Sequence, residues 1–248
     1  MFNTTRGLIL REVRYKESDK ILTVLTEDDG KITARARRAL SPKSKLAAAT
    51  QVLTFSDITL FGHKGMWTIN EAAVIEQFSG LRTSLESLAL ASYFAEALEA
   101  VSDEDYPDPA ILQLGLNSLY ALSKRLYPPE HIKAAFELRL MCLSGYEPDI
   151  SACSACGETR LTEAYLHPRG GEIYCENCRP DAAVEISRAV LDAMGHIVAA
   201  EPKKLFSFTL DGGSLKKLGQ ICEAYMLFQL DRPFASLDYY KKINGDNK

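Results

Sequence analysis

This chain contains four cysteines in two closely spaced pairs, and they are its clearest candidates for a functional site. Cys153 and Cys156 form one Cys-x-x-Cys pair, and Cys175 and Cys178 form a second after the intervening residues 157–174. This is the ligand spacing of a zinc ribbon, in which each pair brings two sulfur atoms to one side of a tight turn. Four thiolates close a tetrahedral site that leaves no position for water or substrate, so the pattern predicts one structural zinc ion.

The alternatives for these cysteines are two disulfides, a redox-active Cys-x-x-Cys, or a catalytic zinc site with an open coordination position. Disulfides need an oxidising compartment, and the polar residues 1–6 are followed by no apolar run typical of a secretory signal, which favours a cytoplasmic protein. His167 is an alternative zinc ligand because it is the only histidine near the two pairs. Cys142 and Cys222 lie within apolar helical patterns and are predicted to be buried free thiols.

The charge of the chain is distributed unevenly. The net charge of the 248 residues is −4, which taken alone argues against a nucleic-acid partner. Residues 1–80, however, carry twelve Lys and Arg against nine Asp and Glu, whereas residues 81–248 carry seventeen against twenty-four. No acidic residue occurs between Lys31 and Lys45. Because a polyanion responds to local charge, the N-terminal part remains a candidate nucleic-acid surface.

Five short strands are predicted in the first eighty residues. They cover residues 7–13, 21–26, 31–37, 52–61 and 66–78, with turns at residues 28–30 and 62–65. In the third strand Ile32, Ala34 and Ala36 alternate with basic residues, which predicts a buried inner face and a cationic outer face. This strand count indicates an OB-fold barrel, a fold that commonly binds nucleic acid.

A basic segment at residues 37–45 follows the third strand and is predicted to be a mobile loop that contacts phosphates. The alternative is an ordinary solvated charged face. Phe55 and Phe61 are predicted to be core residues, and Trp67 could be either a base-stacking platform or a plug of the barrel. The predicted nucleic-acid contacts are Arg14, Lys16, Lys31, Arg35, Arg37, Arg38, Lys43 and Lys45.

The rest of the chain has helical patterns. We place a domain boundary near Gly80 and expect a first helix capped by Thr83, with an apolar stripe that begins at Leu85. Further helices are predicted at residues 109–126, 129–144, 187–200 and 214–231. The zinc module is an expected insertion at about residues 149–181, with a hairpin formed by residues 163–167 and 172–175.

Several short motifs together resemble the bacterial RecO family of recombination mediators. They occur in the same order at residues 7–10, 15–22, 30–32, 42–46, 136–140 and 145–148, followed directly by the two cysteine pairs. The resemblance implies an α+β multi-domain protein, with an OB-fold at residues 1–80 and an α-helical domain at residues 81–248 that carries a zinc module.

The same resemblance implies a function and a set of partners. RecO-like proteins bind single- and double-stranded DNA, anneal complementary strands and act in RecF-type DNA repair at the nucleoid. The expected protein partners are RecR, the acidic C-terminal tail of single-stranded-DNA-binding protein and, indirectly, RecA recombinase.

An acidic, partly apolar peptide would need an apolar groove with a basic rim, and Lys133 and Arg139 are the predicted rim residues. The alternative for Arg139 is burial in an ion pair with Glu137 or another carboxylate.

No phosphate-binding glycine motif or nucleophile elbow occurs, so we expect a non-enzyme. A different function that fits the sequence is a zinc-stabilised scaffold that binds RNA or other proteins.

Overall fold

The N-terminal part of the chain forms a closed five-stranded barrel in this computed structural model, which describes residues 2–63, 66–161 and 163–245. The strands are β1 (Phe2–Tyr15), β2 (Asp19–Thr26), β3 (Lys31–Ala36), β4 (Phe55–His63) and β5 (Met66–Glu76). Their order around the barrel is β1-β2-β3-β5-β4, and β4 closes the barrel by pairing with β1. The predicted OB-fold is confirmed.

The interior of the barrel is filled by aliphatic side chains from all five strands. Ile9, Leu22, Ile58, Leu60 and Ile69 are buried there. The predicted alternation of β3 is correct, because its even-numbered residues from 32 to 36 are buried in the same cluster. This alternation arises because successive side chains of a strand point to opposite faces of the sheet.

The turn between β2 and β3 requires a glycine. Gly30 has a φ of +66°, a conformation that L-residues with a Cβ rarely adopt. A Cβ at this position would lie 2.5 Å from the carbonyl oxygen of Tyr106. Gly30 therefore satisfies both the backbone conformation and a close approach of another chain segment.

The fourth strand starts later than predicted, at Phe55, since residues 37–54 form a succession of tight turns. Phe55 is buried as predicted, but the prediction of a core position for Phe61 is wrong. Ile58 and Leu60 are the β4 side chains that enter the barrel, so Phe61 projects outward. Trp67 is partly buried and packs against the barrel core. Residues 64 and 65 of the predicted 62–65 turn lie outside the described residues.

Six α-helices occur in the described part of the chain. They are α1 (Leu85–Val101), α2 (Pro109–Ser123), α3 (Pro129–Leu143), α4 (Arg188–Ala199), α5 (Gly212–Leu230) and α6 (Ala235–Asn244). The first five were predicted to within a few residues. The cap of α1 is a correction, because Ser84 rather than Thr83 accepts the backbone N–H of Ser87. Leu85 is also not part of the buried stripe, since it is 57% exposed.

The described chain divides into two compact units. Unit 1 comprises residues 1–124 and 234–248 and contains the barrel, α1, α2 and α6. Unit 2 comprises residues 125–233 and contains α3, α4, α5 and a small sheet. The domain boundary that we placed near Gly80 stays a prediction. None of the helices in the described ranges has the length and apolar character needed to cross a membrane.

In unit 1, α6 packs against α1, and the sequence did not predict α6. The rings of Tyr93 and Phe234 meet edge to face at a centroid distance of 5.7 Å. The carboxylate of Glu96 accepts the backbone N–H groups of Ala235 and Ser236 at 3.3 and 3.0 Å. A carboxylate at this position satisfies N–H groups that have no partner within the helix.

In unit 2, three short strands form a sheet beside the cysteine pairs. They are β6 (Ala164–Leu166), β7 (Ile173–Tyr174) and β8 (Val184–Ile186), in the order β7-β6-β8. The predicted hairpin corresponds to β6 and β7, whereas β8 was not predicted. Helix α3 is buried along most of its length and packs against α4 and α5.

Candidate metal centre and nucleic-acid surface

The four paired cysteines of unit 2 converge on one point. Their Sγ atoms all lie within 4.8 Å of one another, and the Sγ atoms of Cys156 and Cys175 are 3.8 Å apart. Four sulfurs bound about 2.3 Å from one ion at tetrahedral angles would stand roughly 3.8 Å apart. The cluster therefore has the spacing of a four-thiolate metal site, and these residues could hold a metal ion.

Local backbone structure brings each pair of sulfurs together. The first pair lies in a tight turn, in which the N–H of Gly157 donates to the carbonyl oxygen of Cys153 at 2.8 Å and Gly157 has a φ of +77°. The second pair spans a short 3-10 helix, Glu176–Cys178. An isolated bridge between Cys153 and Ile173 ties the first turn to β7. The hairpin thus returns the second pair to the first.

The thiols of the cluster differ in acidity. The backbone N–H of Cys175, followed by those of Cys156 and Ala155, lowers the pKa of Cys153 to about 6. Hydrogen bonding to the sulfur of Cys175 and then to that of Cys156 raises the pKa of Cys178 to about 12. Neighbouring sulfurs resist further loss of protons because negative charge accumulates among them, and a divalent cation would relieve that repulsion.

The remaining cysteines and the nearby histidine do not join the cluster. None of the six cysteines forms a disulfide. The prediction for Cys222 is correct, since it is buried, whereas Cys142 is only half-buried. His167 lies outside the four-residue group, and its Nδ1 accepts the backbone N–H of Gly170 at 3.1 Å. The donor set is therefore sulfur alone, which suits a soft or borderline divalent ion.

An acidic residue that the sequence did not single out organises the basic surface of unit 1. Asp19 accepts the Nε–H of Arg35 at 2.8 Å and the backbone N–H of Arg38 at 2.8 Å. The Arg38 N–H, followed by the Arg35 guanidinium, holds the pKa of Asp19 below its usual value. Arg38 itself has a positive φ of 53°. Asp19 thus fixes the sharp bend with which the chain leaves β3.

Two of the eight predicted nucleic-acid contacts are already engaged within unit 1. Arg35 is bound to Asp19, and its guanidinium lies 5.2 Å from the ring centroid of Tyr15. The Nζ of Lys31 donates to the carbonyl oxygen of Glu99 at 2.9 Å. The outer face of β3 is consequently less open than the alternation alone predicted.

The other six predicted contacts are exposed cations. No side chain among them forms an ion pair with another residue that the structure describes. They are Arg14, Lys16, Arg37, Arg38, Lys43 and Lys45. Four of them belong to the basic segment, and the Nζ of Lys16 lies 5.5 Å from the ring centroid of Tyr15. This surface of unit 1 therefore presents positive charge to solvent.

The two residues predicted to line a peptide groove have internal roles in unit 2. Lys133 is buried, and its Nζ lies 2.8 Å from both the Glu137 and the Glu223 carboxylates. It is therefore not the rim of a surface groove. The guanidinium of half-buried Arg139 donates to the carbonyl oxygens of Val198, at 2.7 Å, and Ala200 at the end of α4.

The alternative that pairs Arg139 with Glu137 is also wrong, because Glu137 binds Lys133 instead. A cation at the C-terminus of a helix compensates the negative end of the helix dipole and satisfies carbonyl groups that lack partners. Arg139 is thus a helix-capping residue whose remaining surface is partly exposed.

Comparisons with known proteins match almost the whole chain. Residues 1–78 match the family described as "Recombination protein O N terminal", and residues 82–238 match "Recombination protein O C terminal". A protein of Acetivibrio thermocellus named "DNA repair protein RecO" is 36% identical over 242 residues, which cover 97% of this chain and 96% of the relative.

Two further relatives carry the same printed name. That of Caldicellulosiruptor bescii is 30% identical over 239 residues, covering 96% of this chain and 98% of the relative. That of Listeria monocytogenes is 32% identical over 219 residues, which cover 83% of this chain and 85% of the relative. Matches of this length, together with the barrel and the four-cysteine cluster, show that the chain belongs to the RecO family.

Proposed function

We propose that this chain is a DNA-binding recombination mediator of DNA repair. It binds single- and double-stranded DNA, anneals complementary strands and helps RecA recombinase load onto DNA covered by single-stranded-DNA-binding protein. One observation carries the proposal: an OB-fold barrel displays a cluster of exposed cations without ion-pair partners among the described residues. Membership of the RecO family, whose relatives are named for DNA repair, supports the same role.

The physical basis of DNA binding is release of the counterions that surround the phosphates. Each Lys or Arg that neutralises a phosphate frees condensed cations, which makes affinity independent of sequence and dependent on salt. We assign the main phosphate contacts to the six exposed cations. We assign Lys31 and Arg35 a smaller share of the phosphate contacts, because both side chains already have partners in unit 1.

Annealing follows from the same charge. A cationic surface that gathers two complementary strands lowers their mutual repulsion and raises their local concentration. Reversing the charge of Arg37 and Lys43 to glutamate should therefore slow annealing of complementary oligonucleotides. Reversal of Arg35 is a less suitable test, since a glutamate there would face the Asp19 carboxylate.

A structural zinc ion in the four-cysteine cluster completes the proposal. Cys153, Cys156, Cys175 and Cys178 would hold it, and the ion would supply folding energy to the loops around β6 and β7. RecR and the acidic tail of single-stranded-DNA-binding protein are the proposed protein partners. Of the two residues considered for the tail, only Arg139 retains an exposed portion.

The experiment that tests DNA binding is a salt series of fluorescence-anisotropy titrations with a labelled single-stranded oligonucleotide. If all six exposed cations meet phosphates, the slope of log affinity against log salt should be about −4. Replacing both Arg37 and Arg38 with alanine should change this slope to about −3 and weaken binding. The matched control replaces Lys203 and Lys216, two exposed lysines of unit 2, and removes the same formal charge.

The result expected for the control is a slope and an affinity like those of the unaltered chain. Three results would contradict the proposal. They are absence of binding to single-stranded DNA, equal effects of the two double variants, and a preference for structured RNA over single-stranded DNA.

A further inference from the structure

An aromatic pair lies on the outer surface of the barrel at one end of β4. Phe2 of β1, Phe61 of β4 and Thr68 of β5 are direct Cα partners across three adjacent strands. Directly opposed residues in a sheet project from the same face, so these side chains form a row. The ring centroids of Phe2 and Phe61 are 5.2 Å apart, and the rings are tilted by 50°.

Both rings are partly exposed to solvent despite their size. Phe2 is 63% exposed and Phe61 is 37% exposed. A single exposed aromatic residue on a protein surface is ordinary, but contiguous apolar groups with polar neighbours mark binding surfaces. The interior of the barrel does not need either ring, because Leu60 and other aliphatic side chains fill it.

A groove of about 390 Å³ adjoins the aromatic pair. This volume lies within the range of pockets that bind small molecules and cofactors. Its walls combine apolar carbon, hydrogen-bonding groups and one cation. The lining residues are Phe2, Arg37, Leu46, Phe61, Thr68, Ile69 and Asn70.

The charge of the groove selects among possible occupants. Arg37 is exposed and begins the basic segment, which carries four cations and no acid. Among the described residues that line the groove, none is acidic. An aromatic surface beside a cationic strip fits a ligand that has an aromatic face and a phosphate a short distance away.

We propose that the groove is a base-stacking subsite for single-stranded nucleic acid. An unstacked base lies against the Phe2 and Phe61 rings, Arg37 meets an adjacent phosphate, and the hydroxyl of Thr68 and the amide of Asn70 face the edge of the base. A duplex does not use the subsite because its bases are already stacked on each other. This inference rests on the proposed function and adds to it a preference for single strands.

The stacking subsite makes a prediction that phosphate contacts alone do not. Stacking on an aromatic ring contributes to affinity without releasing counterions. Replacement of Phe61 by alanine should therefore weaken binding of single-stranded DNA about 5- to 150-fold, while the slope against salt stays the same. Binding of duplex DNA should stay unchanged, and F61Y should retain most of the affinity.

The test compares the full chain with F61A, F2A and F61Y, using single-stranded and duplex oligonucleotides in parallel. The matched control is Y120A, which removes an exposed aromatic ring of α2 that lies on no part of the groove. A second readout is the fluorescence of an oligonucleotide containing 2-aminopurine. The 2-aminopurine fluorescence should change when the unaltered chain binds, and the change should be smaller when F61A binds.

The possible results separate the two proposals. If the unaltered chain binds no single-stranded DNA, both the proposed function and the stacking subsite are overturned. If it binds but F61A and F2A bind single strands within twofold of it, the subsite alone is overturned. Equal losses of affinity for single-stranded and duplex DNA would also overturn the subsite. So would substitutions that change only the self-association of the chain. F2A decides the matter if F61A does not fold, because Phe2 is the more exposed ring.

Discussion

The buried lysine of unit 2 gives the most direct test of how this protein is stabilised. Lys133 lies 2.8 Å from the carboxylates of Glu137 and Glu223, and Glu137 is 0% exposed. Replacing Lys133 with methionine keeps much of its volume and removes its charge. The buried Glu137 carboxylate then loses the ammonium group that lies 2.8 Å from it. Breaking a buried pair in this way costs about 3–5 kcal/mol of unfolding free energy.

A compensating variant distinguishes charge from packing. In the double variant K133M/E137M both members of the buried pair become apolar, and only Glu223, which is partly exposed, keeps its charge. Replacement of a whole buried pair by apolar residues is often neutral or stabilising. The double variant should therefore recover most of the stability that K133M loses. The control K216M changes an exposed lysine of α5 and should stay within about 0.5 kcal/mol of the unaltered chain.

The pH dependence follows from the sign of the pKa shift. Burial opposes the charge of Lys133, but the carboxylates of Glu137 and Glu223 outweigh it and raise the pKa of the lysine above its usual 10.5. The stabilisation is therefore complete below about pH 10.5 and is lost as the pH rises through the folded value. In the unaltered chain, loss of this stabilisation should therefore become measurable only above about pH 10.

Urea unfolding followed by circular dichroism measures these differences. A loss smaller than about 1 kcal/mol in K133M would contradict this prediction, because removing the ammonium group beside a buried carboxylate should cost more than that. Failure of E137M to recover stability in the K133M background would refute it as well. In that case the lysine stem, rather than its charge, would be the stabilising part.

Three other predictions concern the metal centre, the basic segment and the cap of α4. The purified chain should contain about one equivalent of zinc by elemental analysis, and C156S should lose the metal and become sensitive to proteases near residues 150–180; an unchanged metal content in C156S would contradict this. D19N should lower the protection of the Arg38 amide against hydrogen exchange and weaken the pairing with Arg35. Acidification of the unaltered chain should lower the same protection, relative to the intrinsic exchange rate at each pH, as the pH falls below 3.8 and through the lowered pKa of folded Asp19. Equal protection in D19N and the unaltered chain would show that Asp19 does not fix the bend. R139M should lower the unfolding free energy by up to about 2 kcal/mol because the carbonyls at the end of α4 lose their cation; the matched variant R188M, at the start of the same helix, should cost less.

Patterns that depend on neighbours in the chain could be predicted from the sequence. The spacing of the two cysteine pairs predicted a four-sulfur cluster, and the four Sγ atoms do converge. The alternation of β3 predicted its buried face. The start of α2 was also predicted, because Pro109 suits the first turn of a helix, and the structure adds Asp108 as its cap. In each case the pattern is set by residues within a few positions of each other, although the two cysteine pairs are separated by residues 157–174.

Other features were decided by the tertiary structure alone. The alternation of β4 allows either set of side chains to face inward, and closure of the barrel selects Ile58 and Leu60 and turns Phe61 outward. β8 has only three residues, too short for a periodic signal, and it exists because it pairs with β6.

The partners of the charged residues were the least predictable feature. Arg35 meets Asp19 across sixteen positions, and Arg139 meets Val198 across fifty-nine. A sequence states which side chains carry charge, and its periodicity states which face of an element is buried. Whether a cation stays free for a phosphate depends on which carboxylate or carbonyl the fold brings beside it. Such contacts join distant segments and are created only when the chain packs.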